Sequence, residues 1–358
     1  MNLTIQTLFN DPAIVDAVID RVLQTRLDTI YWQQYGRFRE TKTRVFKTYL
    51  GTVTGVVAGS IIGKNDQKPL RERRTLGSGI TEIAYLGDRY QMDVERLSEL
   101  QDILDKFNAA NTEDQKTILD EIINFIVDDY RQVLLAPHKR MDIVVPELLM
   151  TGKAEVHLAD NKEGISVLDI ELPFHFIKPS ADAKAKFITY LQETIASLRA
   201  KYGVFSKMIM SRGTFYKHIV GSAEFGETFK MILGNNQFYV GGGLITSQMA
   251  SQVFTGIGLP AIEIKEDYVE MQDGSNKQLY ADDRITLLYN DNVLEMRHHK
   301  PYVMTDPVPG RNYASSDGQM SICNYRDEEG RYMEYTAEWI PEFKAPNKIV
   351  NLDLSDLA

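Results

Sequence analysis

The chain has 358 residues, 43% apolar and 25% charged, which is ordinary for a globular protein and allows one large domain or two to three small ones. Its net charge of −10 argues against a surface that wraps nucleic acid over its whole area, because phosphate binding needs clustered Lys and Arg; a local basic patch remains compatible. One cysteine, Cys323, excludes an intrachain disulfide and fits a reducing compartment. The N-terminus MNLTIQTLFNDP has neither the basic nor the apolar region of a signal peptide. The longest uncharged apolar stretch, Thr48 to Gly63, falls short of the ~20 residues of a spanning helix. Composition thus points to a soluble protein made in the cytosol, with no membrane partner.

Asn10 or Asp11 followed by Pro12 predicts a helix start, and Ile14, Val18 and Val22 supply its apolar stripe. Leu27 to Phe38 holds Ile30, Tyr31, Trp32, Tyr35 and Phe38 without a clear period; core is preferred over an intermolecular contact.

Thr43 to Asp93 predicts two strands joined by a long tip. Gly51, Gly55, Gly59 and Gly63 fall every four residues. In a strand they share a face with Val53, Val57 and Ile61, and that flat face lets another backbone approach. The same spacing on a helix would be a small-residue packing face, but the β-branched residues between Thr52 and Ile62 favour strand. Gly63-Lys64 fails as a phosphate loop. Ala58 stands where the first glycine belongs, and Asn65 where a Ser or Thr would hold the metal. The tip carries Lys64, Lys68, Arg71, Arg73 and Arg74 against Asp66 and Glu72. It is either solvated or a docking knob for an acidic patch on another copy, with a nucleic-acid contact ranked below both. A hairpin of about fifty residues has little local core, so it is expected to lean on neighbouring copies.

Val94, Leu97, Ile103 or Leu104, and Phe107 predict a helix that Asn108 to Asn111 breaks. Thr112 to Gln115 has the capping-box pattern with Thr112 at the cap. Ile118, Ile122, Ile126, Val133 and Leu134 follow. They fit one helix to about Leu149, roughly 55 Å long and kinked or interrupted at Pro137 and Pro146, or two to three shorter helices. Gly152 closes the region. Lys153 to Leu158 and Ile165 to Leu172 predict a hairpin, with a bulge between Val167 and Ile170.

Pro173 to Pro179 marks a boundary. Beyond it, Ser180 is expected to cap a helix carrying Phe187, Leu191, Ile195 and Leu198 and stopped by Gly203. A strand from Val204 to Met210, a helix capped by Ser211 and a helix from Phe225 to Leu233 complete a small α/β unit. Ala261 to Glu270 and Arg284 to Tyr289 are expected strands. Met304 to Asp317 is expected to be a polar loop. Met333 to Trp339 and Val350 to Leu354 alternate as closing strands.

No catalytic constellation stands out. His138, His157, His175, His218, His298 and His299 form no ligand pattern, and His298 and His299 would face opposite sides of a strand. Cys323 is expected to be a small buried residue. Asp128-Asp129 and Asp282-Asp283 are expected to be solvated acids. No catalytic, cofactor-binding or metal-binding residue is assigned, and no cofactor is implied.

The order of these parts resembles the major capsid proteins of tailed bacteriophages, specifically the lambda-type major capsid protein E family with the Hong Kong 97-like fold. The resemblance runs from the aromatic arm Leu27-Asp28-Thr29-Ile30-Tyr31-Trp32, through the strand Thr43 to Val57, the basic loop Lys64 to Arg74 and the return arm Gly79 to Leu86. It continues through the helices of 94–149, Leu149-Met150-Thr151-Gly152-Lys153, Met210-Ser211, Asp282 to Leu288, and the closing strands 333–339 and 349–354. The helix at 94–107 and the long 300–332 region depart from a plain pattern. The resemblance implies an α+β fold with an N-terminal arm (1–42), an extended E-loop (43–93) and a P-domain of spine helix and β-hairpin (94–179). An α/β A-domain (180–285) and C-terminal strands (286–358) follow. It also implies hexamers and pentamers closing an icosahedral shell around double-stranded DNA, bound without sequence specificity. The implied partners are a separate scaffolding protein, a portal and, as an open option, a decoration protein, with assembly in the host cytoplasm and a final place in the virion. The inter-subunit contacts would fall on the glycine face and the basic tip. An encapsulin-like compartment shell is the alternative, and an enzyme with an unrecognised site ranks below both.

Overall fold

The computed structural model describes residues 3–24, 29–42, 45–50, 77–156, 168–172, 174–233, 245–271, 273–327 and 330–357. A short helix that the sequence pattern did not announce comes first, α1 (Ile5–Asn10), closed by a reciprocal cap between Thr4 and Thr7. Asp11 accepts the Ala13 N–H at 2.9 Å and starts α2 (Pro12–Gln24) at the expected proline. Val18 and Val22 are buried, as are Trp32 and Tyr35, so the aromatic segment is core. It leads into β1 (Gly36–Glu40).

β2 (Val45–Leu50) and β3 (Gly77–Glu82) pair antiparallel, with Leu50 opposite Gly77. The root of the expected hairpin is therefore in place. Its glycines Gly51, Gly55, Gly59 and Gly63 and its basic residues Lys64, Lys68, Arg71, Arg73 and Arg74 lie outside the described residues. The return arm goes on as β4 (Ala84–Leu86) and β5 (Arg89–Met92).

Asp93 accepts the Arg96 N–H at 2.8 Å and caps α3 (Val94–Ala109). The buried centre of this helix is Leu100 and Leu104, whereas Val94 is 74% exposed. The expected stripe starts too early, because Val94 sits about 100° of helix rotation off that centre. Asn111, not Thr112, caps the next helix by accepting the Asp114 N–H at 3.1 Å. α4 then runs unbroken from Thr112 to Thr151, 40 residues and about 60 Å. Pro137 and Pro146 are both inside it and buried. Each removes one helix donor, from the carbonyls of Val133 and Asp142, and tertiary packing of the buried face outweighs that loss. Gly152, at φ 70°, ends the helix as expected.

β6 (Lys153–Val156) pairs with β7 (Leu168–Glu171), and the expected turn and bulge between them lie outside the described residues. The boundary segment contributes a strand, β8 (His175–Ile177). Ser180 does not cap a helix with its side chain; its carbonyl accepts from Ala183 in a single 3-10 turn. The following helix, α5 (Phe187–Tyr202), is capped instead by Glu224, whose carboxylate accepts the N–H groups of Ile188 (2.8 Å) and Thr189 (3.1 Å). β9 (Lys207–Ser211) begins later than expected, with Val204 73% exposed. Ser211 does cap the next element, accepting the Thr214 N–H, where α6 (Arg212–Thr214) runs into a π-helical turn, Phe215–Val220.

α7 (Ala223–Leu233), α8 (Ser247–Gly256), β10 (Ala261–Lys265), β11 (Tyr268–Glu270), β12 (Asn276–Gln278) and β13 (Arg284–Leu288) complete this part. The remaining strands are β14 (Leu294–His299), β15 (Asn312–Ser316), β16 (Met320–Arg326), β17 (Arg331–Phe343) and β18 (Val350–Asp353). The expected polar loop Met304 to Asp317 thus ends in a strand, β15, paired along β16.

Two sheets organise the chain. β1, β14, β17, β16 and β15 form one path, and β4 and β5 also pair with β17, giving seven strands. β10, β9, β13, β18 and β8 form the second sheet. One apolar core lies between the first sheet and α4, where Ile122, Ile126, Val133 and Leu134 of the helix meet Met333, Tyr335, Ala337 and Trp339 of the strand. The other gathers Phe187, Leu191, Phe215, Phe225 and Phe254 around the second sheet.

β1 lies parallel to β14 with Gly36 opposite Leu294, and a Cβ at Gly36 would collide with the Leu294 carbonyl oxygen. Gly36→Ala is expected to destabilise the fold by about 1–3 kcal/mol, since the strand must shift off its partner. Urea unfolding of the two proteins measures this.

Candidate functional site

Three clusters of polar groups among the described residues tie segments of the chain together. The first holds the aromatic arm. The Trp32 backbone N–H donates to Asp142 Oδ1 at 2.8 Å, and its indole Nε1–H donates to His138 Nδ1 at 3.2 Å. Lys139 donates to the Thr29 carbonyl at 2.9 Å. One and a half turns of α4 thus grip residues 29–32. A helical register puts His138 and Asp142 on one face, four residues apart. Trp32 stacks on His138, and Phe38 meets Trp32, His298 and Trp339 edge-on.

Further along the same arm, the Tyr35 and Tyr280 hydroxyls lie 2.6 Å apart. The Tyr35 ring has Lys207 and Lys265 each 5.7 Å from its centroid. Glu263 pairs with both lysines. Burial raises both tyrosines far above the usual phenol range, so each keeps its proton and serves as a hydrogen-bonding strut.

The second cluster binds the turn before β13 to the segment after β9. Ser211 donates to Asp282, and Asp283 takes Lys217 (2.9 Å) and His218 (2.6 Å). Asp282-Asp283 is therefore not a pair of free acids. Burial alone would raise Asp283, but Lys217 and His218 hold it below the usual carboxylate range. Asp129 is likewise engaged, by Arg96 at 2.9 Å. The third cluster lies on β15, β16 and β17, where Arg311 sits 3.9 Å from the Tyr325 centroid and donates to Glu334 at 2.8 Å. Cys323 is buried beside it, as expected, and burial raises its thiol.

These arrangements spend their polar groups on joining segments of the chain. Ser211 is buried and bonded to Asp282 and Thr214, with no imidazole bonded to it. His298 and His299 do face opposite ways, one buried against Phe38 and the other paired with Glu338 at 2.8 Å. Among the described residues, no group of three or more His, Cys, Asp or Glu is placed to hold a metal ion, and no helix is long and apolar enough to cross a membrane. Sequence reasoning missed the Trp32–Asp142 and Tyr35–Tyr280 contacts, because they join positions 110 and 245 residues apart and neither carries a local motif.

The remaining candidate is the hairpin that β2 and β3 open, and its root is anchored firmly. β4 pairs with β17 at Ala337 to Trp339, and β5 pairs with it at Arg331 to Glu334. Tyr335 donates its hydroxyl to Asp88 between them.

No family model and no curated protein matches the chain. Solved structures do. A prophage protein of E. coli CFT073, described as a candidate capsid protein, superposes over 97% of this chain and 99% of its own, with a TM-score of 0.57 and 13% identity. A phage-related protein of Bordetella bronchiseptica RB50 covers 96% of this chain and 98% of its own, with a TM-score of 0.50 and 9% identity. At such identities the likeness is one of fold, and it extends from end to end. The α+β architecture expected from the order of parts is observed, and the fold is shared along nearly the whole chain with the E. coli CFT073 prophage protein.

Asp142 gives the arm contact a pH signature. Burial drives its carboxyl from 3.8 up to about 7, against the opposing pull of the Trp32 N–H and Lys139. The folded protein therefore holds a proton that the unfolded chain has released between those values. Asp142 contributes most to stability at the acid end, and its contribution falls as pH rises from about 4 to 7, by on the order of 4 kcal/mol at most. Denaturant unfolding against pH is expected to show this slope in the native protein and to lack it in Asp142→Asn.

Proposed function

We propose that this chain is the structural subunit of a tailed-phage capsid, a major capsid protein of the lambda type, and not an enzyme. The observation that carries the reading is the full-length likeness in fold to the E. coli CFT073 prophage protein. The polar clusters support it, since they lock segments to one another instead of converging on an open cleft. In this reading the chain divides as its sequence suggests, into an N-terminal arm (1–42), an E-loop (43–93), a P-domain (94–179), an A-domain (180–285) and returning C-terminal strands (286–358).

The hairpin is the arm by which copies hold one another. Heterologous contacts must repeat around a ring, and an arm laid across the next subunit buries area that one copy cannot bury alone. Copies would form hexamers and pentamers, close into a shell around double-stranded DNA in the host cytoplasm, and remain in the virion. A scaffolding protein and a portal are the expected partners, with a decoration protein left as an open option. An acidic average charge suits a container whose contents must slide during packing.

Purified protein is expected to give shells, or at least hexamer-sized species, by negative-stain electron microscopy and sizing. A strict monomer at high concentration would overturn the reading. Arg71, Arg73 and Arg74 changed together to Glu are expected to leave the subunit folded and to impair assembly; normal shells from that variant would show a merely solvated tip.

A further inference from the structure

Three partly buried arginines, Arg96, Arg297 and Arg311, are matched to the carboxylates of Asp129, Glu342 and Glu334. Arg331, at the start of β17, is buried more deeply, 6% exposed, and has no such match. Among the described residues it makes no ion pair and no side-chain hydrogen bond; its guanidinium carbon lies 4.7 Å from the centroid of the Phe9 ring of α1. A guanidinium carries only donors, and a buried charge without a partner is costly. Burial, and after it Arg326, pull Arg331 below the usual guanidinium range, with Tyr130 opposing.

Strand register sets a second arginine against it. In the β16–β17 pair Arg326 lies opposite Arg331, and Asn324 opposite Met333. Met333 belongs to the core beneath α4. Residues directly opposite, and residues two apart on a strand, share a face, so Arg331, Arg326 and Asn324 all stand on the α4 side. Tyr130 of α4 meets them there, its hydroxyl accepting from Asn324 Nδ2 at 2.8 Å. Arg326 is exposed at the end of its strand and, among the described residues, also makes no ion pair. Like charges directly opposite one another destabilise a sheet. The turn joining the strands carries Asp327, Glu328 and Glu329. Asp327 Oδ1 accepts the Gly330 N–H at 3.1 Å, and the two glutamates lie outside the described residues.

Donors exceed acceptors at this spot. Asn324 Oδ1 is buried without a donor, and among the described residues the Tyr130 hydroxyl gives its proton to no acceptor. Turning the amide over pairs those two and leaves Nδ2 as a further donor beside the arginines. We propose that Arg326 and Arg331, with Asn324, form a binding site for a small tetrahedral oxyanion of the phosphate class, at the turn end of the β16–β17 ladder and beneath α1. Such an ion takes charge-assisted hydrogen bonds from both strands and cancels the repulsion between them. Arginine held over a ring can still present its N–H edge to an oxyanion. The burial of Arg331 under α1 suits a free ion and not the backbone of a polymer. Because Phe9 covers Arg331, the bound ion couples the seat of α1 to the β16–β17 hairpin. The site goes beyond the shell-subunit reading and does not depend on it.

Inorganic phosphate is the probe. Calorimetric titration of the full-length protein, with ionic strength held constant by sodium chloride, is expected to show saturable binding. Phosphate at about ten times its Kd is expected to raise Tm by about 2 °C. Arg326→Gln, a change at an exposed position, is expected to weaken binding by about tenfold or more. Arg326→Glu supplies the missing carboxylate, and is expected to abolish binding and to raise Tm in phosphate-free buffer. Arg331→Met is expected to abolish binding and to melt no lower than the native protein in that buffer, since an unpaired buried charge is removed. If Arg331→Met fails to fold, the two Arg326 variants decide. The proposal is overturned if the native protein shows no saturable binding, if both Arg326 variants keep native affinity, or if chloride alone raises Tm as much. Acetate binding as tightly as phosphate would overturn the tetrahedral class.

Discussion

The pairing of β17 on both of its edges is the constraint on which the rest of the structure depends. This strand is 13 residues long, roughly twice the usual length. At Trp339 it pairs with His298 on one side and Ala84 on the other. At Tyr332 it pairs with Tyr325 and with Gln91. One strand near the C-terminus therefore fixes the return arm of the hairpin, the β15–β16 unit and, through β14, the N-terminal β1. An arm such as the one proposed for this hairpin needs a rigid root, because any play at the root is multiplied along its length. Here the root strands β4 and β5 belong to the same sheet as the core.

α4 supplies the second half of that constraint. Its apolar stripe covers the Met333, Tyr335, Ala337 and Trp339 face of β17 over most of its length. Burial of this kind contributes about 25 cal/mol per Å², which is why two prolines fail to break the helix. At the carbonyl freed by Pro146, the side chain of the same residue, Asp142, caps the arm at Trp32. A stretch of the helix backbone that lacks a donor is thereby tied to another segment.

Local order was legible in the residues wherever local chemistry decides it. Pro12, Gly152 and Ser211 mark their boundaries correctly, and the alternation from Met333 to Trp339 points inward as its pattern requires. Long-range decisions were not legible. Nothing near Ser180 signals that Glu224 will cap α5 in its place, and nothing in the 300–332 region signals that Asn312 to Ser316 will find β16. Val94 was misplaced because an apolar residue in the first helical turn fits a stripe by spacing without lying over the core. The glycine face stands out by its spacing and the basic tip by its charge, and both lie outside the described residues, so they enter as sequence chemistry and not as observed geometry.

The junction between the two cores shows why buried polar groups stand where apolar ones would pack more cheaply. Tyr35 and Tyr280 meet by their hydroxyls, Lys207 and Lys265 flank the ring, and Thr286 donates to Asn351 at 2.6 Å where β13 and β18 adjoin. Apolar contacts are nondirectional and permit sliding, whereas a buried hydroxyl left without its partner costs about 1–3 kcal/mol. A misaligned arm would strand several such groups at once. The penalty therefore rises steeply with displacement, and one placement of the N-terminal arm is selected over its neighbours. In a proposed shell, where each copy is positioned by arms from others, that selectivity matters more than the last increment of stability, because an angular error in one subunit is inherited by every contact around the ring.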